Sequence, residues 1–366
     1  MQIDFHYYCV GVLARAAGFN KEDALTIAYA SQYVDDSTEG ELLRVQINGT
    51  DFSIDPVRTS YSLLESIASR SWSAQKRVWI PFHFIPPKPF KRNEPFSFVT
   101  ESNSEFAQLL LDQAAKEPLK NYEQRLCRIG VALHTYADSW SHQGFSGRHN
   151  RTENDVKGIR SYDRDKDEWE SPQIENILFT DLPYTGHAQA AYFPDLAFQK
   201  WECTIESEQN EIGRDNIEWF LSAAKVIYDK LEAMKKKNPL DVIPWDQLKE
   251  RIGRSLESPG KIPEDIGSTS MVLYRAMQAL RVERRCEVWK EEFSDLFEPH
   301  PEVFSYDTLA WRKQAGLTDT NWDDFTLNDW TAMPPQKVAP DFWDSLWMNF
   351  HNAALRQRHL VLEKLP

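Results

Sequence analysis

Cysteine is scarce in this chain, and the four that occur, Cys9, Cys127, Cys203 and Cys286, are scattered without a CxxC pair. Four scattered cysteines in a chain of this length do not indicate a disulfide framework. We therefore expect reduced thiols. The opening MQIDFHYYCVGVLARAAGF lacks a basic segment followed by an apolar core and a cleavage site, and no apolar run is long enough to cross a bilayer. We therefore expect no signal peptide, no membrane span and a cytoplasmic location.

Positive charge is also in short supply. The chain carries 42 basic and 56 acidic residues, a net charge of −14, and its only compact basic run is 235–237. Proteins that bind nucleic acid polymers usually carry a basic surface, so neither such a polymer nor a membrane is an expected partner. A small, anionic substrate remains compatible with this charge. Gly-x-Ser-x-Gly, GxGxxG and P-loop patterns are absent, as is a cysteine with a histidine at a recognised spacing.

Apolar residues recur at helical spacing through most of the chain. We predict helices at 5–17, 21–34, 60–69, 105–115, 121–137, 196–203, 214–237, 245–256, 268–293 and 341–365. Asn48-Gly49 between alternating residues predicts one β-hairpin at 44–55. Residues 77–86 are predicted to be extended, 144–176 to be a long loop, and 297–340 to be irregular. The predicted fold class is an all-α multi-helix bundle with this one small hairpin. Its metal-binding helical core spans 1–205, and a helical C-terminal part, 206–366, packs on it as one domain.

The most informative stretch is ALHTYADSWSHQGF, which places His134, Asp138 and His142 four residues apart. Side chains at this spacing lie on nearly one face of an α-helix, about 6 Å from one another. Two imidazoles and a carboxylate arranged in this way offer nitrogen and oxygen ligands to zinc-like ions. The same spacing also occurs in polar stripes and in hydrogen-bonded core clusters, so the triplet alone leaves both interpretations open.

Further histidines and aspartates occur in apolar or structured contexts before residue 200. They are His6, Asp35 or Asp36, His83, His187 and Asp195. Asp195 has an alternative role, because aspartate is strongly preferred at helix N-caps and a helix is predicted at 196–203. Asp35, Asp36 and Glu39 could divide between them the tasks of binding a metal and of orienting histidine ligands.

In the order of these residues the chain resembles the zinc-dependent phospholipase C and P1/S1 nuclease superfamily, whose α-helical members hold three zinc ions. The resemblance covers residues 1–200, and the opening is also similar to an uncharacterised family of bacterial and fungal proteins that share DFHYYCVGVLARAAGF. The ligands it implies are His6, Asp35 or its rival Asp36, His83, the pair His134 and Asp138 as HxxxD, His142, His187 and Asp195.

Three departures from the superfamily pattern place the third metal and the substrate class in question. Members of the superfamily bind one zinc through the amine of an N-terminal tryptophan, whereas this chain begins with Met1. His142 follows Asp138 more closely than usual. The last ligand pair usually reads HxxxD or HxxxE, whereas His187 precedes Asp195 by eight residues.

The resemblance implies a hydrolase with two or three Zn²⁺ ions that acts on a small ester, with a phosphoester first among the candidates. Asp138, between the two histidines, is the expected bridging carboxylate, and Asp35 is the second catalytic candidate. Two alternatives stay open: an iron- or manganese-dependent oxygenase or lyase, and a non-catalytic binding protein that metals stabilise. Arg148, Arg151, Arg160 and Arg164 in the predicted loop either clamp an anion or pair with the loop's own aspartates and glutamates. Residues 297–340 are a candidate apolar wall of the pocket.

Overall fold

The computed structural model describes residues 1–61, 71–117, 121–164, 166–171, 190, 193–205, 210–235, 242–258, 271–317 and 335–366. The predicted all-α bundle with one hairpin is wrong, because the chain also forms a three-stranded and a four-stranded β-sheet. Most of the predicted helices are nevertheless present. The predicted helix at 60–69 lies largely outside the described residues.

The first half of the chain contains the helices that surround the candidate site. A wide π-helical turn, Asp4–Cys9, continues directly into an α-helix, and Asn20, Ser104 and Asn121 cap the helices that follow them through their side chains. The helices are α1 (Val10–Ala16), α2 (Lys21–Asp36), α3 (Trp72–Ala74), α4 (Ile80–Phe82), α5 (Glu105–Lys116), α6 (Tyr122–Ser141) and α7 (Arg151–Asn154).

Helix α6 lies at the centre of the fold, with α2, α5 and α12 (Leu346–Leu362) packed around it. All its residues from Leu126 to Ser141 are buried. A Cβ atom on Gly130 would lie 2.4 Å from the carbonyl oxygen of Ile27 on α2. Glycine therefore allows the two backbones to approach closely, which brings the face of α6 that carries His134 and Asp138 against the C-terminal half of α2.

Residues 77–86 are helical up to Phe82, so the predicted extended segment is wrong for that part. A π-helical turn, Gln75–Trp79, links α3 to α4, and Pro81 lies in the first turn of α4, where proline is tolerated. Val78 and Ile80 favour strands by propensity, but both are buried in the core. Their tertiary packing therefore outweighs a weak local preference.

The predicted hairpin is confirmed. Strand β1 (Leu43–Ile47) pairs antiparallel with β2 (Thr50–Ile54), and Asn48 and Gly49 in the turn have φ values of 48° and 82°. Such left-handed backbone favours asparagine and glycine. A third strand, β7 (Gln336–Lys337), adds to β1 in parallel and completes the three-stranded sheet.

The four-stranded sheet lies where a loop and a helix are predicted. Its antiparallel order is β4 (Glu168–Glu170), β3 (Val156–Asp163), β5 (Lys200–Ile205) and β6 (Asn210–Asp215). The predicted loop at 144–176 therefore contains two strands, and the predicted helix at 196–203 is wrong. In β5 the residues Trp201, Cys203 and Ile205 are buried in alternation with less buried neighbours, which is strand periodicity.

The second half of the chain is mainly helical. Its helices are α8 (Asn216–Met234), α9 (Trp245–Glu257), α10 (Met271–Phe293), α11 (Ala310–Gln314) and α12, with short 3-10 turns at Ser294–Phe297, Pro301–Val303 and Phe342–Asp344. The predicted division at residue 205 falls between β5 and β6, which pair with each other. Within the described residues, none of these helices is long and apolar enough to cross a membrane.

Candidate metal centre

Seven of the nine predicted ligands meet around the C-terminal half of α6. Asp138 is their centre, and its carboxylate contacts two other parts of the chain, the N-terminus at Met1 and His6 and the residue His83, as well as histidines on and directly after its own helix. The seven are His6, Asp35, His83, His134, Asp138, His142 and Asp195. His187 lies outside the described residues. Asp36 is described but points elsewhere.

The carboxylate of Asp138 is 1% exposed and divides its two oxygens between two groups of ligands. Oδ1 lies 3.1 Å from Nε2 of His6 and 2.7 Å from the amino group of Met1. Oδ2 lies 3.1 Å from Nδ1 of His83 and 3.2 Å from Nε2 of His134. A carboxylate that faces two separate sets of donors has the arrangement of a bridging ligand.

Three of the histidines are anchored at their outer nitrogen by a backbone carbonyl. Nε2 of His83 lies 2.9 Å from the oxygen of Thr59, Nδ1 of His134 lies 2.8 Å from that of Ser31, and Nδ1 of His142 lies 2.8 Å from that of His83. Because a carbonyl only accepts, each ring donates its N–H there. Its other nitrogen, in the neutral ring, then presents a lone pair to the interior of the cluster, the orientation of metal-binding histidines.

The inward-facing atoms are spaced as ligands of one ion would be. Nδ1 of His83 and Nε2 of His134 lie 3.2 Å apart, and Oδ1 of Asp35 lies 3.9 Å and 3.6 Å from them, respectively. Tetrahedral zinc with bonds of about 2.0–2.1 Å holds its nitrogen and oxygen ligands about 3.3–3.4 Å apart. Lone pairs at this separation repel one another unless a proton or a cation lies between them, so these side chains fit a divalent metal.

His6 belongs to the same cluster from a different element. It lies in the π-helical turn at the N-terminus, and its ring stacks on that of His134 with centroids 3.9 Å apart. Its buried Nδ1 has no hydrogen-bond partner among the described residues. The ligand atoms of His6, Asp35 and His134 all lie within 4.8 Å of one another. His6 therefore adds a further ligand atom to the cluster, and this atom lies on the Oδ1 side of Asp138.

The amino group of Met1 is the one member of the cluster that the sequence analysis missed. It lies 2.7 Å from Oδ1 of Asp138, 2.9 Å from Oδ1 of Asp195 and 3.0 Å from Oγ of Ser141. The sequence treats Met1 as a departure from the resemblance, but the structure places its amine beside the carboxylates. Ser141, three residues after Asp138 on α6, also contacts the amine, but a serine at this position does not by itself predict such a contact.

The charges of the cluster shift its pKa values in opposite directions. Burial would raise the pKa of Asp138, but the Met1 ammonium, followed by His142, His134 and His6, holds it well below the usual range. Partial burial, and then the neighbouring Asp138, raise the pKa of Asp35 well above its usual range. One carboxylate of the pair is thus kept ionised at the expense of the other, as happens when two acids share a site.

Burial also keeps the imidazoles neutral, the form that binds metals. It lowers the pKa of His6 to about 3, with His134 and the Met1 amine adding to the effect. It lowers the pKa of His134 to about 4 against the opposing influence of Asp138. Burial alone would lower the pKa of the Met1 amine, but Asp138, Asp195 and Asp35 raise it to about 11.

The sequence left the roles of Asp36 and Asp195 open, and their contacts in the structure show that only Asp195 lies in the cluster. Asp36 accepts hydrogen bonds from Tyr306 at 2.5 Å and Gln32 at 3.1 Å, away from the histidines. Asp195 does not cap a helix, because none begins there, and its Oδ1 lies 3.4 Å from Nε2 of His142. Glu39, a candidate for orienting ligands, pairs with Arg312 instead.

The cluster opens to solvent at Asp35, whose side chain is 32% exposed. Each of the four arginines in the described part of residues 144–176 pairs with a carboxylate, two of them within this segment and two with carboxylates outside it. Their partners are Glu153 for Arg148, Asp155 for Arg151, Glu202 for Arg160 and Asp215 for Arg164. Residues 297–340, in their described parts, pack Phe304 and Tyr306 against Tyr7 near the N-terminus.

The chain belongs to a protein family of unknown function, DUF6765, whose family model matches residues 1–365. No curated protein and no solved structure matches the chain. The resemblance to zinc-dependent phospholipases C and P1/S1 nucleases therefore stays a prediction that rests on the order of the candidate ligands.

Proposed function

We propose that the protein is a hydrolase that binds two or three divalent metal ions, zinc first among them, and acts on a small ester, with a phosphoester as the preferred class. One observation carries the proposal. Three histidines donate an outer N–H to backbone carbonyls and direct their inner nitrogens at Asp138 or Asp195, at the spacing of metal ligands.

Asp138 divides the proposed ligands into groups. On its Oδ2 side, Asp35, His83 and His134 would hold one ion, and on its Oδ1 side His6 and the Met1 amine would hold another. His142 and Asp195 are the described candidates for a third. Bound zinc supplies an activated water at neutral pH and stabilises negative charge that develops on the substrate.

The exposure of Asp35 favours a catalytic centre over a purely structural one. Structural zinc sites are closed by four protein ligands, whereas catalytic sites keep a position open. Here the carboxylates and histidines around Asp138 are almost completely buried, but 32% of the Asp35 side chain is accessible. A substrate would therefore approach from the Asp35 side, where the chain's own backbone holds His83 and His134 in place.

A cytoplasmic location is part of the proposal. The four cysteines are free and buried in the structure, as expected in a reducing compartment. The proposed substrate is a small anionic molecule rather than a nucleic acid polymer or a membrane surface.

Asp35 and Asp36 allow a matched test, because they are consecutive and only Asp35 faces the histidines. We expect elemental analysis of protein purified without chelators to find two or three divalent ions per chain. Asp35→Asn should lose metal and hydrolysis of the probe bis-p-nitrophenyl phosphate, whereas Asp36→Asn should retain both. Wild-type protein with less than one ion per chain, or equal metal loss in the two variants, would contradict the proposal.

A further inference from the structure

A short segment beside the metal centre, residues 58–61, is held in a fixed position. The amide groups of Thr59 and Ser60 both donate to the carbonyl oxygen of Ser37, at 2.9 Å and 3.3 Å, directly after α2. The carbonyl of Thr59 in turn accepts the N–H of His83 at 2.9 Å. The segment therefore borders the proposed centre at the end of α2 that carries the exposed Asp35.

Two half-buried aromatic rings extend from the centre toward this segment. The ring of Trp79 lies 5.5 Å from that of His83, and the ring of Tyr61 lies 5.7 Å from that of Trp79. Neither ring is part of the main apolar core. Together they form an aromatic wall next to a candidate metal ligand, where the apolar part of a bound molecule could pack.

Two arginines, Arg58 and Arg358, contact each other at the far end of this wall. The guanidinium group of Arg58 lies 4.8 Å from the centre of the Tyr61 ring, and Nη2 of Arg358 donates to the carbonyl oxygen of Arg58 at 2.7 Å. Arg358 also lies over Phe82, the residue before His83, at 5.9 Å. Its buried Nε has no hydrogen-bond partner among the described residues.

Arg77 is the third cation in this region. Burial, and then the positive charge of Arg77, lower the pKa of Arg358 to about 10, although Asp55 acts in the opposite direction. Arginines brought together in this way repel one another, and an oxyanion would relieve that repulsion. Their planar, forked guanidinium groups match phosphate and carboxylate oxygens.

We propose that Arg358, Arg58 and Arg77, together with the wall formed by Tyr61 and Trp79, are a subsite for a second oxyanion of the substrate, separate from the ester that would be hydrolysed at the metals. The group that fits is a phosphate, and the apolar remainder of the ligand would lie on the two rings. This places the anion clamp on Arg58, Arg77 and α12 rather than on residues 144–176. The assignment to a substrate rests on the proposed function, but the oxyanion site itself does not require bound metal.

The test uses inorganic phosphate as the probe and calorimetric titration of the full-length protein, both with metals and after chelation. Arg358→Gln should weaken phosphate binding about tenfold or more in both forms, because it removes a charge-assisted donor. Arg77→Gln, at an exposed position, should weaken it about threefold through its charge alone. The matched control is Arg356→Gln, two residues away on α12, where the exposed Arg356 pairs with Glu117 and should have no effect.

Several outcomes would overturn the subsite. They are the absence of phosphate binding to the wild-type protein at tens of millimolar, unchanged binding in both Arg358→Gln and Arg77→Gln, or an equal loss in Arg356→Gln. Binding only to the metal-loaded form, without an effect of the arginines, would place phosphate on the metals and also overturn it. Because the chelated protein is titrated separately, the effect of the arginines on phosphate binding can be measured even if the protein proves to bind no metal. Unfolding curves of each variant identify any loss that comes from misfolding.

Discussion

Asp138→Asn is the most direct perturbation of the proposed centre. The substitution keeps the size of the side chain but removes its negative charge. The new amide NH₂ replaces one of the two carboxylate oxygens. It faces either His83 and His134, in place of Oδ2, or His6 and the Met1 amine, in place of Oδ1. The change therefore acts on metal binding and, separately, on a buried ion pair of the metal-free protein.

The expected magnitudes follow from these contacts. Breaking a buried ion pair by removing one partner costs about 3–5 kcal/mol. Asp195 still pairs with the Met1 ammonium at 2.9 Å, so we expect the lower end, about 3 kcal/mol, against a total stability of about 5–15 kcal/mol for typical domains. Loss of a group that only orients a ligand weakens metal binding about 10–100-fold, so loss of a bridging ligand should exceed about 100-fold.

Two assays separate the two effects. Denaturant unfolding of the chelated protein measures the ion pair, and equilibrium dialysis against zinc measures the affinity. Asp229→Asn is the matched control, because Asp229 forms an exposed pair with Lys225, and such pairs contribute about 0–1 kcal/mol. Asp138→Asn protein with wild-type zinc affinity would refute the bridging role, even if its stability fell as calculated.

Two other predictions address different parts of the chain. Adding one residue before Met1 should convert its buried ammonium to an amide and reduce the bound metal measured by elemental analysis. An addition after the exposed Pro366 should leave the metal content unchanged. Equal metal in the two extended proteins would contradict a role of the amine. Burial, and then Arg312, lower the pKa of His351 from 6.5 to about 3 in the folded protein. Below about pH 6.5 the unfolded chain therefore binds a proton at His351 that the folded chain does not bind, and the folded protein loses stability as the pH falls. Denaturant unfolding should show wild-type protein losing about 2 kcal/mol more than His351→Gln between about pH 7 and pH 5, whereas the exposed His359→Gln should behave as wild type.

The part of the site that the sequence predicts best is the part set by helical periodicity. His134 and Asp138 are one turn apart on α6, and any α-helix would bring them together. The choice between Asp35 and Asp36 could not be made in this way. They are consecutive on α2 and therefore point in different directions, and which one faces the centre depends on long-range contacts such as that of Asp36 with Tyr306, 270 residues later.

The four-stranded sheet escaped prediction for a related reason. In β3 the sequence VKGIRSYD has few apolar residues, and every residue is at least partly exposed, so hydrophobic alternation is weak. Strand β5 does alternate, but Asp195 before it is typical of a helix N-cap, which favoured the wrong element. Its contacts with the Met1 amine and His142 explain the aspartate without a helix.

Helix α10, in the C-terminal half of the chain, contacts the N-terminal residues that position the Met1 amine in the candidate centre. Arg285, fully buried on α10, donates to Oδ2 of Asp4 at 2.8 Å and also contacts the side chain of Gln2. Gln2 directly follows Met1 and Asp4 lies two residues further on, so the position of the Met1 amine against Asp138 depends on α10. Buried ion pairs often stabilise a fold no more than apolar residues would. The value of this one lies in orientation, since it holds the charged amine of Met1 within hydrogen-bond distance of the Asp138 carboxylate, 137 residues later in the chain.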